Sequence, residues 1–375
     1  MKNFLKIFFL ISILLLTGCS VKSADNILEK LEKKLENADS YYTEGIMEIM
    51  NNEDTYTYDV KVSYQKQDYY KIELTNTLNN HKQVILRNEE GVYVVTPSLN
   101  KSFKFQSDWP YNNSQVYLFN SILEDLDEDE NVEYKESDKG YTFISKVNYP
   151  NNKALDKQKV YMDKDANINK VEVVDEKGNI QIVMEFSKHE YNKKFDKNYF
   201  ELSTLLDMNK KKETNTPKEE KSEESKTDST KESETNVEET TETKTTASIN
   251  DVIYPMYLPS NTYLISQETV DTDDGQRLIL TFGGDSSFVL VEEVSLNDDS
   301  GLIIPVSGDF DFLSDVIGIV ETNSLSWHSN GIDYYLASDT ITTSELVEIS
   351  ISVIFFLLLT LLYHNILLNK IVVFF

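Results

Sequence analysis

Side chains whose types and spacing could carry chemistry are sparse in this chain. The four histidines, His81, His189, His328 and His364, are scattered, and none has a second metal ligand at i+3 or i+4. Asp271-Thr272-Asp273-Asp274-Gly275 has the opening composition of a calcium loop but lacks its remaining spacing and terminal glutamate. Gly283-Gly284 is a turn rather than a phosphate loop, because neither a lysine nor a helix comes after it. No Gly-x-Ser-x-Gly elbow is present, and with 64 Asp and Glu no acidic pair stands out. These patterns give no reason to expect an enzyme, a metal or a cofactor. The remaining candidate is Cys19, the only cysteine. It can be acylated, and with Cys19 lipidated no thiol remains for a disulfide, a redox pair or a thiolate metal site.

The flanks of Cys19 say how. Lys2 and Lys6 form a short positive region, Phe4 to Leu16 is almost unbroken apolar sequence, and Leu16-Thr17-Gly18-Cys19 closes it. Residues 1–18 therefore read as a secretory signal peptide. Its ending resembles a lipobox, in which cleavage precedes the cysteine and the new N-terminus carries lipid. The expected address is the outer face of a cell membrane, with Cys19 lipidated and residues 19–25 as a short polar spacer. A formal charge of -28 argues against nucleic acid, whose phosphates need Lys and Arg. With no disulfides available, the folded parts must be stabilised by burial.

The elements beyond the anchor fall into two groups. Asn26 to Ala38 reads as an amphipathic helix, with Ile27, Leu28, Leu31 and Leu35 at helical spacing. From Tyr41 the period becomes two. Tyr56, Tyr58, Val60, Val62 and Tyr64 alternate with polar residues, and Tyr70, Ile72 and Leu74 do the same. Short apolar runs at 84–86, 92–95 and 103–105, separated by turn residues, continue a set of antiparallel hairpins with one apolar and one wet face. Asn113 to Leu126 predicts a middle helix, ended by the acidic run Glu124 to Glu130. Strands resume at Tyr141–Ile144, Val160–Met162, Val171–Val174 and Ile180–Phe186, with turns at 163–167 and 175–178.

Residues 206–248 change character. Lys, Glu, Ser and Thr dominate Met208 to Thr246, where Val237 is the only aliphatic residue after Asn209. Such a stretch cannot bury enough apolar surface to offset ordering, so a disordered charged linker is expected. Its flexible span is on the order of 35 Å, which would let the domain beyond it range outward. Residues 249–350 read as that domain, small, acidic and α+β. Its strongest hairpin signal is Arg277–Phe282 and Phe288–Glu293 around Gly283-Gly284-Asp285, with short strands at 315–321, 324–328 and 334–337. A final helix is expected over 343–350 with Ser344 as its cap. Between Lys244 and Lys370, Arg277 is the only Lys or Arg, so a basic partner would be attracted here. The tail 351–375 is apolar over a length that would cross a bilayer, and reads either as a transmembrane helix or as an altered terminus.

One further candidate site is apolar. Tyr56, Tyr58, Tyr64, Tyr70, Tyr93, Phe103 and Phe105 sit at alternating positions, with Trp109 as a candidate rim. On a curved sheet they would line a concavity able to hold a helix, an acyl chain or an apolar peptide, or would simply form a core.

The order of elements, from lipobox through first helix, long meander, middle helix and closing hairpins to Phe186, resembles the LolA/LolB/RseB superfamily over Asn26 to about Leu202. The second domain, through Tyr254–Pro259, Gly275–Phe282 and Ser326–Leu336, is similar to a domain found in Firmicute lipoproteins. The pairing resembles YdcC-type sporulation lipoproteins, and its first half the germination lipoprotein GerS. The fold implied over residues 26–205 is a LolA-like bent antiparallel β-half-barrel with plugging helices, of class α+β. The function implied is a non-enzymatic, membrane-anchored envelope protein of sporulation or germination. It would bind a protein partner or an apolar ligand such as an acyl chain or lipid. The alternatives implied are a LolA-type lipid or lipoprotein carrier and an RseB-like sensor acting on an anti-sigma factor.

Overall fold

The computed structural model describes residues 18–51, 54–206, 249, 252–272, 275–295, 302–313 and 315–354, without the side chains of 18–24, 51 and 54. The signal segment 1–17, the charged stretch 207–248 and the apolar tail 355–375 lie outside the described residues, together with the expectations placed on them. Among the described residues no helix is long and apolar enough to cross a membrane.

Helix α1 runs over Gly18–Glu36, so the expected spacer at 19–25 is helical instead. From Cys19 to Glu36 there is neither Gly nor Pro, and nothing local stops the helix from starting early. Ile27, Leu31 and Leu35 are buried on one face, as their spacing requires. Lys30 Nζ bonds Asp165 Oδ1 (3.0 Å), and Lys34 Nζ donates to Asp165 O (2.8 Å) and Asn167 Oδ1 (2.7 Å). These contacts fasten the helix to a hairpin of the sheet beneath it.

That sheet contains β1 (Ser40–Asn51), β2 (Asp54–Gln65), β3 (Tyr69–Asn76), β4 (Lys82–Asn88), β5 (Gly91–Thr96) and β6 (Lys101–Phe105). After helix α2 (Phe119–Glu128) come β7 (Glu133–Ser137), β8 (Gly140–Lys146), β9 (Leu155–Met162), β10 (Ile168–Asp175) and β11 (Ile180–Tyr191). The hairpin turns use the expected chemistry. Asp163 Oδ1 accepts the backbone N–H of Asp165 and Asn167, and Asp175 Oδ1 those of Lys177 and Asn179. In β2 the alternation is literal, with Tyr56, Tyr58, Val60 and Val62 all at most 5% exposed. Gly45 marks a register shift between β1 and β11, where a Cβ would stand 2.2 Å from Glu185 O.

The middle helix is shorter than its apolar stripe predicts. Residues 113–118 are non-helical because the backbone at 114 and 115 is bonded elsewhere, once to another backbone carbonyl and once to a side chain. Ser114 N donates to Asn148 O (2.9 Å), and Gln115 N to Ser121 Oγ (2.9 Å). The strands β4 and β5 also depart from the one-wet-face expectation. Val84, Ile85 and Leu86 are all fully buried, and so are Val92 to Val95 to within 2%. Their outer side is covered by Phe200, Leu202, Leu205 and Leu206, the last three on a short helix α3 (202–206).

The second group of elements is β12 (Thr262–Thr272), β13 (Gly275–Gly284), β14 (Phe288–Val294), β15 (Leu302–Val306), β16 (Asp309–Leu313), β17 (Val316–Val320), β18 (Ser324–Ser329) and β19 (Ile332–Ala337), then helix α4 (343–354). All except β15 and α4 form a seven-stranded sheet in the order β12-β13-β14-β19-β18-β17-β16. Leu346, Ile349, Val353 and Ile354 of α4 complete its core with Leu280, Leu290, Trp327 and Leu336. The Glu345 N–H bonds Thr342 Oγ1 (3.3 Å), so Thr342 rather than Ser344 caps α4.

The strand β15 leaves this sheet and pairs parallel with β6, Leu302 opposite Lys101 through Val306 opposite Phe105. It completes a twelve-stranded open sheet, β15-β6-β5-β4-β3-β2-β1-β11-β10-β9-β8-β7. The first unit is thus an α+β half-barrel whose inner face holds α1, α2 and part of the second unit. The expected outward-ranging acidic domain is corrected here: it is docked on the first unit by strand addition and by apolar residues.

One buried acid gives a pH prediction. Glu292 of β14 is fully buried and accepts the Ile253 N–H (3.1 and 3.4 Å), and burial pushes its carboxyl up to about 8. The native state keeps this proton from pH 4.5 to about 8 while the unfolded chain releases it, so stability falls as pH rises through that window. Glu292→Gln is expected to reduce that slope in thermal unfolding followed by circular dichroism at pH 5, 6.5 and 8. An unchanged slope would contradict the assignment.

Candidate functional site

The inner face of the half-barrel is a continuous aromatic layer. Tyr41 of β1 lies 4.9 Å from Tyr64, Tyr64 4.9 Å from Tyr70, and Tyr70 5.7 Å from Trp109, between ring centroids. Phe119 of α2 closes on Tyr41 and Phe186, each at 5.1 Å. Helix α1 adds Ile27, Leu31 and Leu35. Burial raises the phenol of Tyr64 and holds those of Tyr41 and Tyr58 well above their ordinary value, so the layer is uncharged.

Seven of the eight expected concavity residues meet on this face. Tyr56, Tyr58, Tyr70, Phe105 and Trp109 are buried in one core, and Tyr64 and Phe103 pack against it. Tyr93 does not join them. It is buried on the opposite face with Val84, Leu86, Val95 and Phe200. The cause is register: Val94 pairs with Phe103, so its neighbour Tyr93 must point the other way. Trp109 is no rim residue either, being fully buried beside a cis Trp109–Pro110 bond. The exposed neighbour is Tyr111, whose hydroxyl donates to Asp68 Oδ1 (2.6 Å) and whose ring faces the Arg87 guanidinium at 5.3 Å. Cys19 falls in the first turn of α1, and its side chain lies outside the described ones.

The second unit supplies the closure of the concavity. Phe310 of β16 lies 5.2 Å from Phe105 and 5.8 Å from Trp109, and Phe312 lies 6.1 Å from Tyr58 and 6.4 Å from Tyr117. Ile317 and Ile319 of β17 join the same core. A cavity of about 30 Å³ is left between Met47, Ile49, Tyr117, Tyr149, Phe310 and Phe312. That is about the volume one water occupies in the liquid.

Polar groups fix this docking. Gln83 Oε1 accepts the Ile317 N–H (2.7 Å) while Gln83 Nε2 donates to Ile317 O (3.3 Å), so a side chain imitates a strand partner. Lys101 Nζ bonds Asp333 Oδ2 (2.9 Å), and His328 Nδ1 shares Asp333 Oδ1 (3.0 Å). Burial works against the Asp333 charge, but the His328 and Lys101 hydrogen bonds hold its carboxyl below the ordinary range. Across the junction the His81 ring stacks on His328 at 6.3 Å, and burial, then the His328 neighbour, pushes His81 down to about 4. Asp309 accepts Ser107 Oγ (3.1 Å) and Asn112 Nδ2. None of Phe310, Phe312, Gln83, Lys101 or Asp333 stood out in the sequence. The only local signal was the two-residue spacing of Phe310 and Phe312 in Gly308-Asp-Phe-Asp-Phe-Leu313.

Likeness to solved structures is distant. The structure of the Pseudomonas aeruginosa MucA/MucB complex contains a chain with 11% identity, covering 87% of this chain and 97% of that one, at a TM-score of 0.30. The complex of the Clostridioides difficile CwlD amidase with the GerS lipoprotein contains one with 18% identity, covering 44% and 95%, at 0.28. Sequence similarity is stronger. The sporulation protein YdcC of Bacillus subtilis (strain 168) is 34% identical over 345 residues, 91% of this chain and 93% of that protein. With residues 1–200 also matching the model of the YdcC-like sporulation proteins, the chain belongs to that family.

Proposed function

We propose that this chain is a non-enzymatic sporulation protein of the cell envelope that acts by binding a protein partner. In this reading lipid on Cys19 holds it at the outer face of the cell membrane. The observation that supports it is the filled concavity. Sites for drug-sized or larger apolar ligands enclose roughly 300–1,000 Å³, whereas the inner face here leaves about 30 Å³ beneath Phe310 and Phe312 and an opening of about 250 Å³ beside Phe312, between Ile49, Leu155 and Val347. An acyl chain would have to displace Phe310 and Phe312, which are held from behind by the Gln83 and Lys101 contacts. A carrier of lipid or lipoprotein is therefore disfavoured, and so is a permanently lipidated carrier, which could not leave its membrane.

The test is solvent extraction and mass spectrometry of the purified full chain, paired with cross-linked co-purification from sporulating cells. Extraction is expected to release no stoichiometric apolar ligand, because lipid on Cys19 is covalent. Co-purification is expected to recover one envelope protein in near-equal amount. A stoichiometric extractable acyl compound, or no partner at all, would overturn the reading.

A further inference from the structure

Each sheet ends in two edges, and an unpaired edge is a template for another strand unless something blunts it. Three of the four are blunted. The strand β7 is five residues long and carries Glu133, Lys135 and Glu136 on an almost fully exposed course. The strand β15 is equally short and contains Pro305, which cannot donate to a ladder. The strand β16 lies against the first unit through Asp309, Phe310 and Phe312.

The fourth edge, β12, is different. It is 11 residues long, with no Pro, Lys or Arg, and among the described residues only β13 pairs with it. A bulge at Ile265 gives way to regular pairing from Ser266 opposite Thr281 to Thr272 opposite Gly275. Its apolar side chains face water: Tyr263 is 61% exposed, Ile265 61% and Val270 42%. Tyr254, Met256 and Tyr257 lie exposed in the preceding segment, and the Tyr254 hydroxyl donates to Gln267 Oε1 (2.6 Å), which holds that segment beside the strand. Of the 14 exposed large apolar residues in the described structure, seven fall between Tyr254 and Val270. Such a concentration marks an interaction surface rather than scattered exposure.

Charge selects the occupant. From Ile249 to Ile354 the chain has 18 Asp and Glu against one Arg. That Arg277 is held by both oxygens of Glu293 at 3.0 Å. The strand itself carries Glu268 and Asp271. A second copy would bring the same acids and a further net charge of -28 to the contact, so self-pairing is opposed. The chain's own segment 207–248 offers Met208 and Val237 as its only large apolar side chains and cannot supply an alternating strand.

We infer that the open edge of β12 receives an extended segment of a partner protein, alternating basic and apolar residues, which adds as an eighth strand to the second sheet. Main-chain hydrogen bonds would supply affinity, and the acidic, apolar surround would supply selection. This deepens the partner-binding reading and rests on it.

The probe is a fluorescein-labelled 11-residue peptide alternating Lys and Val, titrated into the full chain by anisotropy at low and high salt. A Glu/Val peptide and a Lys/Val peptide N-methylated at every residue serve as comparisons. Saturable binding of the Lys/Val peptide is expected, weakening with salt, with both comparison peptides at least tenfold weaker. Ile265→Lys with Val270→Lys, both at exposed positions, is expected to weaken binding at least tenfold with an unchanged melting temperature. Equal binding of the N-methylated peptide, indifference to the double variant, or no saturable binding would each overturn the inference. So would a concentration-dependent dimer abolished by that variant, which would assign the edge to a second copy. In co-purification, a partner recovered equally by wild type and double variant would sink the β12 assignment alone. No partner from either would sink the wider reading.

Discussion

Replacing Phe310 with alanine is expected to cost about 3–5 kcal/mol of stability and to open the half-barrel. Phe310 is 5% exposed and packs on Phe105 and Trp109 from a strand that belongs to the other unit. Truncation removes contacts from both units at once. It leaves a cavity that the rigid sheet cannot collapse around, and that would merge with the existing void of about 30 Å³. Phe312, which bridges Tyr58 and Tyr117 and is only partly buried, should contribute less alone. The double variant Phe310→Ala, Phe312→Ala should separate one cooperative thermal transition into two. It should also bind an environment-sensitive apolar dye that the wild type excludes. A single transition at an unchanged midpoint without dye uptake would mean that these side chains do not hold the units together.

The second large effect concerns the membrane. Cys19→Ala is expected to abolish membrane retention while leaving the cooperative thermal transition of the folded units in place. Lipid on Cys19 would contribute about 0.8 kcal/mol per buried methylene, and stable retention takes more than one acyl chain. The surface of this chain cannot compensate, because its net charge of -28 is repelled by anionic head groups. Fractionation of cells carrying the variant, with and without truncation after Ile354, separates the two possible anchors. Retention of the untruncated variant alone would assign the second anchor to residues 355–375. Retention of both would overturn the lipid-anchor reading.

The sequence was most readable where one face of an element meets water. The alternation in β2 and the helical spacing of Ile27, Leu31 and Leu35 each predicted the buried face correctly, because polar partners marked the other side. In β4 and β5 both faces are buried, one by residues more than 100 positions away, and the two-period signal vanished with them. That is why spacing alone places Tyr93 on the wrong side. Edge strands such as β7 and β12 carry little burial pattern, so no alternation in the sequence marks them. The apolar stripe at 113–118 resembles a helix because Val116, Tyr117 and Leu118 are buried, although the backbone just before them, at Ser114 and Gln115, is bonded to Asn148 and Ser121. The closure of the concavity is a contact between residues some 200 positions apart, and nothing near Phe310 announces it.

The addition of β15 to β6 also sets a timetable. Residues 302–306 complete an edge built from residues 101–105, and the side chains that fill the inner face come later still, at 310–319. During synthesis the first unit is finished at about residue 206, roughly 100 residues before its plug exists. At about 5–20 residues per second, that interval lasts roughly 5–20 s. Throughout it, Tyr58, Tyr70, Phe105 and Trp109 form an aromatic trough with no lid. The nascent chain is therefore most vulnerable to misassociation in that window, which closes only when Phe310 and its strand have emerged.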